Sequence, residues 1–236
     1  MLRKFKNLIK KYFAEFALIF ISVILAFALT EWSNNQGKKV SQEKILLEIS
    51  NGLKSDSYDA ISNAEAHKSG VNACKFWRKA ILQEKIDNDS VALNYFLLTR
   101  TLISVQNNTA YETLKMKGLE TIDNDSLRQN IIHLYEFDYE VMRKFEEDYH
   151  ENQFFDNYFL EINKKVAPHL KFDNAGNIVG LSSQIKLNND EKNILLSYLW
   201  KIQLSRNERM IASKSLAEKI NKLQKKINIE LKNNNE

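Results

Sequence analysis

The sequence predicts an all-α protein, with an N-terminal transmembrane helix followed by a bundle of long antiparallel helices and room for one small β-hairpin near residues 170–180. Three observations carry this prediction. Helix breakers are scarce, with six Gly and one Pro, Pro168, in 236 residues, and a chain so poor in breakers runs in long helices. One apolar run occupies the N-terminal region. Beyond it, three stretches of roughly forty residues repeat their apolar side chains at three- and four-residue steps, the period of a helix with one buried face.

The apolar run comes first. From Phe13 to Trp32 is 20 residues, which at about 1.5 Å of rise per residue gives roughly 30 Å, the thickness of a hydrocarbon core. Tyr12 and Phe13 stand at one end and Trp32 at the other, where amphipathic rings prefer the headgroup level. Five Lys/Arg (Arg3, Lys4, Lys6, Lys10, Lys11) precede the run, and three (Lys38, Lys39, Lys44) follow it closely. That bias predicts a basic cytoplasmic tail over 1–12, a span over 13–32 and an extracytoplasmic domain over 33–236, anchored in the inner membrane. Two other readings compete. A secretory signal peptide would be cut after Ala26-Phe27-Ala28, and a core helix of a soluble protein would bury the run, although only Ser22 breaks it between Phe16 and Leu29.

Glu15 lies in the first turn of the span, four residues after Lys11, and can pair with that lysine or reach the interface. The sharper alternative is an intramembrane acid that meets a partner helix. Glu31, beside Trp32, falls at the opposite interface.

Composition excludes several function classes. The chain has 34 Lys and Arg against 30 Asp and Glu, but the N-terminal 32 residues carry most of that surplus. What remains is nearly neutral and offers no basic stripe for phosphates, so no nucleic-acid partner is expected. Cys74 is the only cysteine, so no intramolecular disulfide forms. No phosphate-binding glycine loop, dinucleotide fingerprint, nucleophile elbow or zinc-protease motif occurs. Neither an enzyme activity nor a cofactor is predicted.

The opening stretch with its trailing Trp32-Ser33-Asn34-Asn35 resembles a family of small single-span proteins from Bacteroidota, domain of unknown function 6090, in which Tyr12, Glu15 and Trp32 have counterparts. Ala14 and Glu31 depart from its pattern. A second segment, from Thr109 to Ile122 and on through Asp123 to Leu127, is similar to the family's central region, where a short helix ends at a Gly and a new helix starts with a polar cap and Leu. The resemblance implies an anchored helical domain and supplies no activity.

Along the domain, Leu46, Ile49, Leu53, Ala60, Ala64, His67, Val71, Cys74, Trp77 and Ile81 stripe a long helix that continues the span, with Gly37 as the expected break or bend. The string Ile-Asp-Asn-Asp-Ser occurs at 86–90 and again at 122–126. Both copies lack the glycine of a calcium loop and read as helix caps. Thr109 and Glu112 have capping-box spacing, and Gly118 sits where a glycine would end that short helix. From Ser126 a helical signal runs to about Val166, with Ile131, Leu134, Tyr135, Val141, Met142, Phe145, Tyr149, Phe155, Phe159 and Ile162 on its apolar side. The last helix is expected to run from Asn189 to about Lys232.

Four sets of residues are candidates for function. Tyr135, Phe145, Tyr149 and Phe155 belong to a run of aromatics that would wall a pocket for a small apolar ligand or else pack as core. Leu216, Ile220, Leu223 and Ile227 recur at four and three, as in a coiled-coil seam between copies of the chain, unless the helix folds back on its own bundle. Glu147 and His150 share a helical face at the spacing of a di-iron ligand pair, but the second copy that such a site needs is missing. His67 and Cys74 are seven residues apart, about 10 Å along a helix, too far for a nucleophile and its base. The predicted protein is therefore a membrane-anchored, non-enzymatic interaction or assembly module of the bacterial envelope. Its partners would be the bilayer and either a second copy or another envelope protein. The alternative is an anchored sensor for a small apolar ligand.

Overall fold

The computed structural model describes residues 2–100, 102–150 and 153–233; the side chains of 2–11, 13 and 14 lie outside that description. Seven α-helices are described: α1 (Leu2–Ile81), α2 (Val91–Thr99), α3 (Thr109–Lys117), α4 (Asp125–His133), α5 (Tyr139–Glu147), α6 (Leu160–Val166) and α7 (Asn189–Asn233). Strands β1 (Leu170–Phe172) and β2 (Ile178–Leu181) form one antiparallel hairpin, where the sequence leaves room for it. Asp173 shapes its turn by accepting bonds from the main-chain N–H groups of Ala175 and Asn177.

The 80-residue α1 runs without interruption through Gly37, so the expected break is absent. A single Gly costs a helix about 1 kcal/mol, which the flanking turns absorb. Helix α1 has two regimes. No residue from 15 to 40 is buried; from Gln42 onward one face packs inward. The apolar run is thus not part of this chain's core, and the basic tail belongs to the same helix as that run. Pairing of Lys11 with Glu15 falls outside the described side chains.

Helix α7 lies antiparallel to the inner half of α1: Ser50 bonds Asn228, Ser57 bonds Asn221, and Arg78 bonds Gln203. Asn188 and Glu191 cap α7 reciprocally, each side chain accepting from the other's main-chain N–H at 2.9 and 3.0 Å. This is the capping box that the sequence placed at Thr109–Glu112. There Asn108 precedes the helix without a side-chain cap, and Glu112 instead meets Lys115 one turn on. The repeated Ile-Asp-Asn-Asp-Ser strings cap as expected but one residue out of step. Asp87 accepts from the N–H of Asp89 at a 3₁₀ turn that leads into α2, whereas Asn124 accepts from the N–H of Leu127 at the start of α4.

The long helix expected over 126–166 is divided. Two π turns, Leu134–Asp138 and Phe155–Phe159, and a break between α5 and α6 interrupt it. Each π turn admits an extra residue and rotates the following face. The phase therefore shifts: Phe154 is buried where Phe155 was expected, and Val141 turns outward.

Two apolar cores result. The core nearer the apolar run joins Ile45, Leu46, Ile49 and Leu53 of α1 to Leu216, Ile220, Leu223 and Ile227 of α7, with Tyr111, Ile122, Ile131 and Tyr135 closing it. The far core gathers around Trp77, with Cys74, Val91, Leu98, Ile162, Leu195 and Leu199.

Candidate functional site

Between the two cores the α1–α7 contact turns polar. The buried positions of α7 recur at alternating steps of four and three, from Leu195, Leu199 and Ile202 through Arg206, Arg209 and Ser213 to Leu216, Ile220, Leu223 and Ile227. Helix α1 answers with Asp56, Ala60, Ala64 and His67. Small residues make the room. A Cβ on Gly70 would stand 3.1 Å from Arg206 Nε, so glycine there lets the arginine stem cross α1.

Each buried charge in this waist has a defined setting. Asp56 Oδ2 accepts from Tyr139 Oη at 2.6 Å, and its Oδ1 accepts from the main-chain N–H of Asn107 at 3.0 Å. Glu146 accepts from both the N–H and the hydroxyl of Ser104, at 2.8 and 2.7 Å. Arg206 Nη2 donates to the carbonyls of Leu98 and Arg100, where the end of α2 exposes free carbonyls that favour a cation. Arg209 Nη2 donates to the carbonyl of Glu146 at 3.4 Å. Ionic groups thus tie the middle of the chain to α7, and removal of one partner would strand a buried charge.

His67 is fully buried, and neither ring nitrogen has a protein hydrogen-bond partner. Burial, then the nearby Arg206 and Arg209, push its pKa down to about 3, so the imidazole stays neutral. Burial likewise pushes the Cys74 thiol up to about 11, which leaves almost no thiolate for nucleophilic chemistry. The waist holds charges in place, and the thiol beside it is kept protonated.

The predicted aromatic pocket does not form as one site. Tyr135 belongs to the core near the apolar run, stacked on Tyr111 with centroids 4.5 Å apart. Tyr149 is 48% exposed and touches Phe145, while Phe155 is 52% exposed and meets Phe154 and Phe159. Of the four, Phe145 lines a groove of about 330 Å³, shared with Phe137, Val141, Met142, Ala212 and Leu216. The separation follows from the phase shift at the π turns. The predicted oligomer seam is corrected too: Leu216, Ile220, Leu223 and Ile227 are all buried against this chain's own α1 and its neighbours. An amphipathic helix with an apolar partner at hand in its own chain buries its stripe there. Glu15 and Trp32 are exposed on the unburied part of α1. Among the described residues no group of three or more His, Cys, Asp or Glu is arranged to hold a metal ion, and Glu147 meets Arg143 at 3.2 Å.

Sequence reasoning missed Asp56, Glu146, Arg206 and Arg209. The signal was present: the four-and-three step of the presumed seam, extended toward the start of α7, lands on Ser213, Arg209 and Arg206 in turn.

Fold and site together define a helical bundle that, among the described residues, carries one helix long and apolar enough to cross a membrane. Compared with family models, curated proteins and solved structures, the chain has no match.

Proposed function

We propose that the chain is a membrane-anchored, non-enzymatic interaction or assembly protein of the bacterial envelope, with its N-terminus in the cytoplasm, a single span over 13–32 and the bundle on the far side of the inner membrane. One observation carries this reading. The apolar segment is exposed on every side, yet it continues as the same helix into the centre of a packed bundle. Exposed apolar surface of that extent is costly in water and favourable in lipid. The resemblance to single-span Bacteroidota proteins supports the same reading. Full-length protein is expected in the membrane fraction after carbonate washing, with its bundle cut by protease added from the periplasmic side. A soluble form beginning at Leu29 would establish signal cleavage instead.

The groove beside Phe145 favours a second reading, a sensor for a small apolar ligand. Thermal shift of the full chain against apolar envelope metabolites separates the two. Saturable stabilisation that is lost in Phe145→Ala, with the variant still folded, supports the sensor.

A further inference from the structure

Where the bundle begins above the apolar segment, α1 and the turn after α3 border an open cleft of about 400 Å³ lined by Gly37, Lys38, Ser41, Lys117, Glu120 and Thr121. Lys117 Nζ reaches across it and donates to Ser41 Oγ at 3.0 Å. Glu120, the one acid on its wall, meets Arg128 at 3.3 Å, an arginine that Asp125 also engages. Among the described residues no carboxylate stands at ion-pair distance from Lys38 or Lys117. The cleft therefore presents two ammonium groups, neither in an ion pair, against one carboxylate, beside a serine hydroxyl.

Its position decides what it meets. Lys38 lies six residues beyond Trp32, about 9 Å along the helix axis. Side chains on an α-helix tilt toward its N-terminus, which on α1 is the direction of the apolar segment. The flexible stem of Lys38 thus carries its ammonium back toward the headgroup layer, to within about one Debye length of a charged membrane surface. A free anion would gain little here, because the cleft is open and two mobile lysines hold an ion weakly. A phosphate fixed in a bilayer is different, since anchoring presents it to the cleft at high effective concentration.

We propose that this cleft binds the phosphate of an anionic phospholipid of the phosphatidylglycerol type, seating the foot of the bundle on the membrane. The proposal rests on the anchored reading above. Lys38 and Lys117 supply the charge, and Ser41 supplies a hydroxyl donor once Lys117 turns from it to the phosphate.

Native mass spectrometry of the detergent-solubilised full chain tests it, with phosphatidylglycerol and phosphatidylcholine of matched acyl chains. Phosphatidylglycerol is expected to be retained in preference, by about fivefold for each lysine engaged. Lys38→Gln should lower that preference and Lys38→Gln with Lys117→Gln should abolish it, with circular dichroism unchanged. Equal retention of the two lipids, or a preference that survives both substitutions, overturns the proposal. Displacement of phosphatidylglycerol by inorganic phosphate, but not by chloride at the same ionic strength, would assign the cleft to a soluble anion and also overturn it. Failure of the anchor itself shows separately, as wild-type chain that does not float with vesicles. Flotation without lipid preference condemns the cleft alone.

Discussion

The waist and the two cores use the same spacing with opposite chemistry. Above and below, the inward positions of α1 and α7 are mostly Leu, Ile, Ala and Trp, which need only surface to cover. At the waist the same positions hold His67, Arg206, Arg209 and Ser213, with Asp56 and Glu146 close by in the fold. The cores are held by area and tolerate reshaping; the charges of the waist are held by named partners. Periodicity thus sets which residues are buried, and residue type sets what must come with them.

Substitutions at four positions break or sharpen this contrast. The largest effect belongs to the near core: Leu223→Asp places an unpaired charge among apolar side chains and is expected to cost on the order of 4 kcal/mol or more. It should appear as loss of the cooperative urea transition of the full chain. A variant that stayed folded while a larger assembly dissociated would restore the seam between copies. In the waist, Asp56→Ala leaves the buried Tyr139 hydroxyl without its acceptor and should lower the unfolding free energy by about 2–3 kcal/mol. Asp56→Asn, which keeps an acceptor, should recover part of that loss.

His67 gives the contrast a pH dependence. In the unfolded chain it protonates near its ordinary value of 6.5, whereas in the folded chain it stays neutral down to about 3. Its contribution is therefore complete above 6.5 and declines as pH falls through that window, by roughly 1.4 kcal/mol per pH unit. Urea midpoints measured at neutral and mildly acidic pH should converge in His67→Leu. An unchanged slope in that variant would place the acid sensitivity elsewhere in the waist. The smallest effect is Ser57→Ala, which removes the bond to Asn221 at the lower edge of the waist and should reduce stability by about 1 kcal/mol, read as a modest drop in Tm.

Much of the architecture was legible because it rests on local signals. Helices α1 and α7 follow from apolar residues that recur at three- and four-residue steps, and the end of α3 from Gly118, which adopts φ 96°. The middle of the chain was not legible. The π turns at 134–138 and 155–159 leave no composition signature, since the extra residue is set by tertiary packing rather than by propensity. That hidden shift of phase scattered Tyr135, Phe145, Tyr149 and Phe155. The waist escaped for a different reason. Arg206 and Arg209 read as solvated charges until α1 is laid against α7, and Gly70 shows its purpose only when Arg206 crosses it.

The unbroken course of α1 also fixes an angle. A helix makes about five turns in 18 residues, so residues that far apart share one azimuth. Ile24, Phe27 and Ala28 therefore lie directly beneath Gln42, Ile45 and Leu46, the side on which the bundle hangs. Ser22 and Leu29 lie beneath Val40 and Leu47, which face away from it. A neighbouring helix running beside the apolar segment, with bulk of its own above, has an open approach along the Ser22 and Leu29 side only, so the stem holds a compass bearing for whatever stands next to it.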